Sequence, residues 1–403
     1  MPPAPLAHRA LYAAFDRYPS SKGASVHIGE WADELFGTFD GGLLHVLGGG
    51  ELPAYQLEPA TDGRGPVEIV RFGEQIPNLS DRIDGYRAQF AAVVAGHLDT
   101  LELIHVRDPW SAGVVLAAPD RRARVVFEVN GLPSVELPYR YRHLGAATLD
   151  KIRDLERHCL AGADRVVVPS DVLARRVVAS GADAGSVVVI RNGARLPDEP
   201  PPRPPGAPDR YLVYVGALQP WQGIETLLRA FARLADLDDV RLVVCASTPP
   251  RTSRGYRRLA GRLEIADRVD WHHRLPHREI AGWLAHAVLS FAPLVDCSRN
   301  VDQGCCPLKI LESMAVGTPV VASDLAVVRE LVVDGIHGRL VPADRPAELA
   351  RAARILLEYP DRTRELGAAA RRHVAGSLTW SRSRADLRAV YDDLVPSAAM
   401  SQR

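Results

Sequence analysis

The stretch from Leu196 to Arg210 reads LPDEPPPRPPGAPDR, with seven prolines between Pro197 and Pro208. Proline lacks the backbone donor that a helix interior or a central strand needs, so this stretch predicts a semi-rigid linker. On its N-terminal side, apolar strand-like runs recur at Ala10–Phe15, Leu43–Leu47, Val67–Phe72, Leu101–Val106, Val125–Val129, Val166–Val168 and Val187–Ile190. Amphipathic helical patterns lie between them, among them Val26–Phe36, Ile83–His97 and Leu149–Ala161. Beyond the prolines the pattern resumes at Tyr211–Val215, with strands near Val240–Cys245, Val288–Phe291, Pro319–Ala322 and Arg339–Val341. Such alternation predicts parallel sheets covered by helices. Two α/β domains joined by a hinge enclose a cleft, and open α/β sheets bind ligands outside the carboxyl ends of their strands.

The bulk properties fit this plan. A chain of 403 residues suits two domains, each large enough to bury its own core. Lysine plus arginine number 49, as do aspartate plus glutamate, so no global field favours nucleic acid or an anionic membrane. The arginine runs at Arg251–Arg262 and Arg362–Arg372 read as solvated helix faces. Met1 to Ala14 lacks the apolar core of a signal peptide, and no run approaches the roughly eighteen apolar residues of a membrane span. These features predict a cytoplasmic protein without stable membrane insertion. The five cysteines form no CxxC pair, so neither a disulfide framework nor a zinc site is indicated.

Three segments carry candidate chemistry. The first, Asp16 to Ser25, follows the first strand and precedes a helix. Gly23 and Ala24 there would offer backbone N–H groups to an anion at the helix start. The second, Tyr214 to Leu228, contains Gly216 and Gln222 and opens the first helix of the second domain. The third runs from Gln303 through Gly304, Cys305, Cys306, Pro307, Leu308, Lys309, Ile310, Leu311 and Glu312 to Ser323. Pro307 suits the first turn of a helix, so N–H groups near Leu308 and Lys309 would point outward. The Lys309 charge completes a plausible diphosphate cradle. Glu312, one turn on, could accept hydrogen bonds from a ribose.

The third segment resembles the donor-site signature of the large retaining glycosyltransferase family 4, an E-x7-E pattern followed by A-M-A-x-G-x-P-V-V-A-S. The second resembles that family's G-R-L-x-x-x-K-G segment, and the first its N-terminal glycine-rich loop. Thr379-Trp380 and the helix after them resemble the family's last helix, which crosses back to the N-terminal domain. The resemblance implies the GT-B fold, two Rossmann-like domains facing each other across a cleft. It implies an acceptor-side domain over residues 1–196, a linker over 197–209, a nucleotide-sugar-binding domain over 210–378 and the returning helix over 379–403.

It further implies transfer of a sugar from a UDP- or GDP-linked donor to a small-molecule acceptor, with retention of anomeric configuration. Secondary metabolism is one setting for such a reaction. The nucleotide sugar is a substrate, so no cofactor is implied, and a homodimer is allowed. A non-catalytic nucleotide-sugar-binding protein and a GT-B-fold sugar-nucleotide epimerase are the alternative readings.

Several family residues are replaced. The family's arginine aligns with Ala217, its lysine with Gln222, its first glutamate with Gly304 and its N-terminal-domain histidine with Asn130. Lys309 and Arg299, both beside the proposed cradle, would supply the charge that Ala217 and Gln222 lack. The resemblance thus implies a divergent sub-branch with a P-L-K-x-x-E donor motif.

The expected donor-binding residues are therefore Gly23, Ala24, Gly216, Gln222, Arg299, Gly304, Leu308, Lys309 and Glu312. Lys309, Asn130 and Glu128 are the catalytic candidates. Glu128 and Glu136 flank the replaced histidine, and either could face the acceptor or cap the loop. Asparagine cannot accept a proton at neutral pH, and a thiol needs less help than an alcohol, so a thiol acceptor is compatible with Asn130. No metal site is expected. Asp236-Leu237-Asp238-Asp239 imitates a D-x-D motif but ends a surface helix, and His272 and His273 read as wall residues near the base.

Overall fold

The computed structural model describes residues 7–49 and 51–396. Six residues of the Met1–Ala14 segment and the end of the 379–403 tail lie outside the described residues. The chain forms two parallel-sheet α/β domains. The first sheet has eight strands in the order β3-β4-β2-β1-β5-β6-β7-β8. They are β1 (Ala10–Arg17), β2 (Gly42–Leu47), β3 (Tyr55–Glu58), β4 (Val67–Phe72), β5 (Leu103–Val106), β6 (Arg124–Glu128), β7 (Arg165–Val168) and β8 (Val187–Val189). The second sheet has six strands in the order β11-β10-β9-β12-β13-β14. They are β9 (Tyr211–Gly216), β10 (Arg241–Ala246), β11 (Val269–His273), β12 (Leu289–Ala292), β13 (Val320–Ser323) and β14 (Gly338–Val341). All pairings are parallel except the edge pair of β3 with β4.

Helices cover both sheets. In the first half they are α1 (Gly23–Thr38), α2 (Leu79–Ala95), α3 (Pro109–Leu116), α4 (Pro133–Arg140), α5 (Ala146–Gly162) and α6 (Asp171–Ala179). The second half has α7 (Ile224–Phe231), α8 (Arg254–Arg262), α9 (His277–Ala285), α10 (Leu308–Ala315) and α11 (Ala326–Arg329). It continues with α12 (Pro346–Glu358), α13 (Pro360–Ser377) and α14 (Trp380–Leu394). The central strands are buried on both faces, as in Ala10 to Ala14 of β1, which is why they read as unbroken apolar runs. Among the described residues no helix is long and apolar enough to cross a membrane.

Neither helix nor strand forms between Val189 and Tyr211. The proline-rich stretch lies along α9, where His286 Nε2 is 2.9 Å from the Pro201 carbonyl. A Cβ on Gly282 would stand 2.6 Å from the Pro202 carbonyl oxygen, so only glycine allows that approach. Strands β3 and β11 and helix α4 lay outside the apolar runs of the sequence. Strand β3 is a half-exposed edge with alternating burial, and β11 carries only one fully buried residue, Val269.

Helix α14 returns to the first domain. Its Trp380, Leu387, Val390 and Tyr391 join Ile28, Trp31 and Leu35 of α1 in one buried cluster. The Tyr391 hydroxyl also lies 2.7 Å from His105 Nδ1 on β5. Tyr391→Ala is therefore expected to destabilise the first domain by about 3–5 kcal/mol, the scale of a buried aromatic truncated to alanine. Urea unfolding should show the loss in that domain and leave the second unchanged.

Candidate active site

The carboxyl ends of the two sheets open into one cleft of about 830 Å³, lined from both domains. On the second-domain side, Pro307 precedes α10, and the first N–H groups of that helix have no partner within it. The N–H groups of Leu308 and Lys309 therefore stay available beside the cleft. Lys309 reaches across to the β9–α7 turn, where its ammonium donates to Gln222 Oε1 at 2.5 Å. The same ammonium stands 4.0 Å from the centre of the Tyr214 ring. Gly216, at φ 134°, leaves room for it, since a Cβ there would come 3.1 Å from Nζ. Burial pushes the Lys309 pKa down to about 7, against the opposing pull of Glu312. Glu312 lines the cleft one turn on, and burial raises its carboxyl above the usual range even though His277 is 3.8 Å away.

The turn Arg299–Gln303 carries a second cation. Arg299 Nε donates to Glu136 Oε1 at 3.1 Å, and its guanidinium lies 5.5 Å over the Trp221 ring. Gln303 joins them: its amide donates to Glu136 at 3.1 Å and its oxygen accepts from the Leu132 N–H at 2.9 Å. Glu136 therefore ties α4 of the first domain to the Arg299–Gln303 turn of the second.

On the first-domain side, Glu128 ends β6 but does not reach the cleft. It is 1% exposed and accepts from the Tyr12 hydroxyl at 2.6 Å, from Arg107 Nε at 2.9 Å and from the Asn130 amide. His27 Nε2 and His105 Nε2 lie 2.8 and 3.2 Å from its oxygens. Burial works against its charge, but these cationic and hydrogen-bonding neighbours outweigh it and hold the carboxyl well below the usual range. Arg17, Lys22 and Arg140, by contrast, are exposed on the cleft wall and make no ion pair among the described residues.

The chain as a whole is similar to known proteins. Residues 209–359 match the family described as Glycosyl transferases group 1, and residues 40–193 match the Glycosyl transferase 4-like domain. The chain is 34% identical over 372 residues to the D-inositol 3-phosphate glycosyltransferase of Thermobispora bispora, covering 85% of this chain and 82% of that protein. The chain belongs to the group 1 glycosyltransferases. It is also 31% identical to the D-inositol 3-phosphate glycosyltransferase of Streptomyces coelicolor, spanning 60% of its length. Its fold matches the sucrose-phosphate synthase of Thermosynechococcus elongatus with a TM-score of 0.78 at 19% identity, over 97% of this chain and 100% of that one. This glycosyltransferase therefore has the GT-B architecture.

Of the expected site residues, Gly23, Ala24, Asn130, Gly216, Gln222, Arg299, Leu308, Lys309 and Glu312 all line the cleft. Two do not. Gly304, at φ 88°, turns the chain against α6, where a Cβ would meet Val172 at 2.9 Å. Glu128, expected to face the acceptor or cap the loop, does not line the cleft; its oxygens are taken up by buried donors, among them the Asn130 amide of that loop.

His272 and His273 stand one layer behind the wall: His272 packs on Trp283, and His273 Nδ1 is 2.9 Å from the Thr248 carbonyl. Asp236 and Asp239 are paired with Arg354 and Arg210 on the surface. Among the described residues no group of three or more His, Cys, Asp or Glu could hold a metal ion. Sequence reasoning missed His27 and Asn192, which line the cleft from positions with no local motif. It also left Arg17, Lys22 and Arg140 unassigned, although Arg17 and Lys22 stand within the first segment.

The depressed Lys309 pKa has a measurable consequence. The diphosphate of a nucleotide sugar stays fully ionised across neutral pH and favours the ammonium. Affinity for it should be flat well below pH 7 and fall by up to about tenfold per pH unit as Lys309 loses its proton above pH 7. Calorimetry across this range, with Lys309→Arg as a variant whose charge is fixed, checks the assignment. A pH-independent wild type would contradict it.

Proposed function

We propose that this glycosyltransferase moves a sugar from a UDP- or GDP-linked donor to a hydroxyl of a phosphorylated small-molecule acceptor, with retention at the anomeric carbon. The observation that carries this reading is the Lys309 ammonium held against Gln222. A positive charge stands where the family's lysine is replaced, beside the unpartnered N–H groups of α10. The donor diphosphate binds there, and its ribose reaches Glu312. Arg17, Lys22 and Arg140 supply unpaired cations on the acceptor side, which suits a phosphate. The relative from Thermobispora bispora, named for D-inositol 3-phosphate, has an acceptor of that chemistry in its name.

In the reaction the bond from C1 to the β-phosphate oxygen breaks, and a bond from C1 to the acceptor oxygen forms on the same face. The acceptor proton passes to the leaving diphosphate. Neither Glu128 of β6 nor Glu136 of α4 is a free carboxylate for that proton, since Glu128 is buried and Glu136 is engaged by Arg299 and Gln303. Lys309, Arg299 and the α10 N–H groups stabilise the charge that develops on the diphosphate, so the reaction needs no divalent metal.

The test is to offer UDP- and GDP-sugars with matched phosphorylated, unphosphorylated and thiol acceptors and to follow product by mass spectrometry. Transfer to the phosphorylated alcohol, retained in excess EDTA, is expected. Equal transfer to the unphosphorylated partner would remove the phosphate from the reading, and transfer only to the thiol would replace the hydroxyl. Lys309→Ala should lower kcat/KM by about 100- to 1,000-fold, as loss of one preorganised charge does. Arg140→Ala should raise KM for the phosphorylated acceptor by roughly tenfold or more, the scale of a hydrogen bond to a charged group.

A further inference from the structure

His27, on the second turn of α1, is 2% exposed and lines the cleft floor. Its Nε2 stands 2.8 Å from Glu128 Oε1. Its Nδ1 lies 2.8 Å from Asn192 Oδ1. The Asn192 amide is not free to turn over, because its Nδ2 donates to the Cys306 carbonyl at 2.8 Å. Nδ1 of His27 must therefore be the donor to Asn192. The result is a buried polar chain from Glu128 through His27 and Asn192 to the main chain of Cys306. Cys306 precedes Pro307 and the N–H groups of α10. The chain thus begins under the acceptor side of one domain and ends on the donor cradle of the other.

Its middle member stands where the polypeptide crosses between domains in both directions. The Ala194 N–H donates to the Leu378 carbonyl at 2.9 Å, and the Ser383 hydroxyl to the Arg191 carbonyl at 2.7 Å. Gly193, between Asn192 and Ala194, lies so close to Thr379 and Trp380 that a Cβ would come 2.2 Å from the Trp380 nitrogen. The loop carrying Asn192 is clamped on both sides and transmits position rather than absorbing it.

We propose that His27 and Asn192 are positioning residues for sugar transfer: they fix the donor cradle at Cys306 relative to the acceptor wall through the buried Glu128. Neither touches the reacting atoms. The turnover part of the proposal rests on the reading of the cleft as a nucleotide-sugar site; the link across the domains does not. Displacing a donor by about 1 Å from its acceptor is enough to cost about 100-fold in rate. Nucleoside diphosphate contacts made by the second domain alone are spared.

Asn192→Asp is the informative variant. It keeps an oxygen facing His27, but replaces the donor to Cys306 with an oxygen and adds a buried carboxylate there. His27→Ala removes the link at its other end. Two readouts separate the possibilities. Amide hydrogen exchange in the peptide 299–311, measured without substrate, should accelerate about tenfold in both variants, with strands β9 and β10 unchanged. Turnover should fall about 30- to 100-fold in each variant with UDP or GDP affinity within threefold of wild type, and the double variant should be no worse than either single one. Unchanged exchange at 299–311 in Asn192→Asp, or losses that add in the double variant, would overturn the proposal. Faster exchange in a protein whose wild type binds neither UDP nor GDP would leave the link standing and remove the proposed function instead.

Discussion

A carboxylate removed from water has to be met by donors, and the first domain is arranged around meeting one. Glu128 gathers Tyr12 from β1, Arg107 from the end of β5, Asn130 from the β6–α4 loop, His27 from α1 and His105 from β5. An unpaired buried charge would cost several kcal/mol, so none of these partners can leave without consequence for the rest. The cluster fixes the carboxyl ends of three adjacent strands and the start of α1. Through His105 and Tyr391 it also anchors the helix that returns from the second domain. The first-domain wall of the cleft is held in place for this reason, and the charges left free on it are those outside the cluster.

The donor side follows a different rule. Its cations are half-buried and only lightly neutralised. Lys309 faces an amide oxygen and an aromatic ring instead of a carboxylate, and Arg299 shares one oxygen of Glu136 with Gln303. Such a site holds its charge in place without cancelling it, which is what a diphosphate requires. It also explains how Ala217 and Gln222 are tolerated. On the proposed reading the family's cation is relocated from the β9–α7 turn to the start of α10, where Gln222 accepts from Lys309.

Much of this was legible in the sequence. Buried parallel strands such as β1, β6 and β9 announce themselves as apolar runs because both of their faces are covered. The proline stretch could form neither helix nor strand, and it does not. Pro307 could be placed at a helix start, with Glu312 one turn after Leu308, from spacing alone. What escaped is non-local. The position aligned with the family's first glutamate gave no warning that Gly304 turns toward α6, since its neighbour Val172 is far away in the chain. Glu128 looked like a loop acid because the residues that bury it come from four other segments. His27 and Asn192, 165 residues apart, carry no motif and are joined only by the fold. Strand β11, with polar and aromatic residues at a half-covered edge, lacked the apolar run that marks its neighbours.

The central claim is that the donor diphosphate is held at the start of α10 by a charge relocated to Lys309. A crystal structure with a bound nucleoside diphosphate tests it most directly. The account predicts phosphate oxygens within hydrogen-bond distance of Lys309 Nζ and of the Leu308 and Lys309 N–H groups, with the ribose on Glu312. Diphosphate bound instead to Arg17, Lys22 and Arg140, with Lys309 still turned to Gln222 alone, would contradict it.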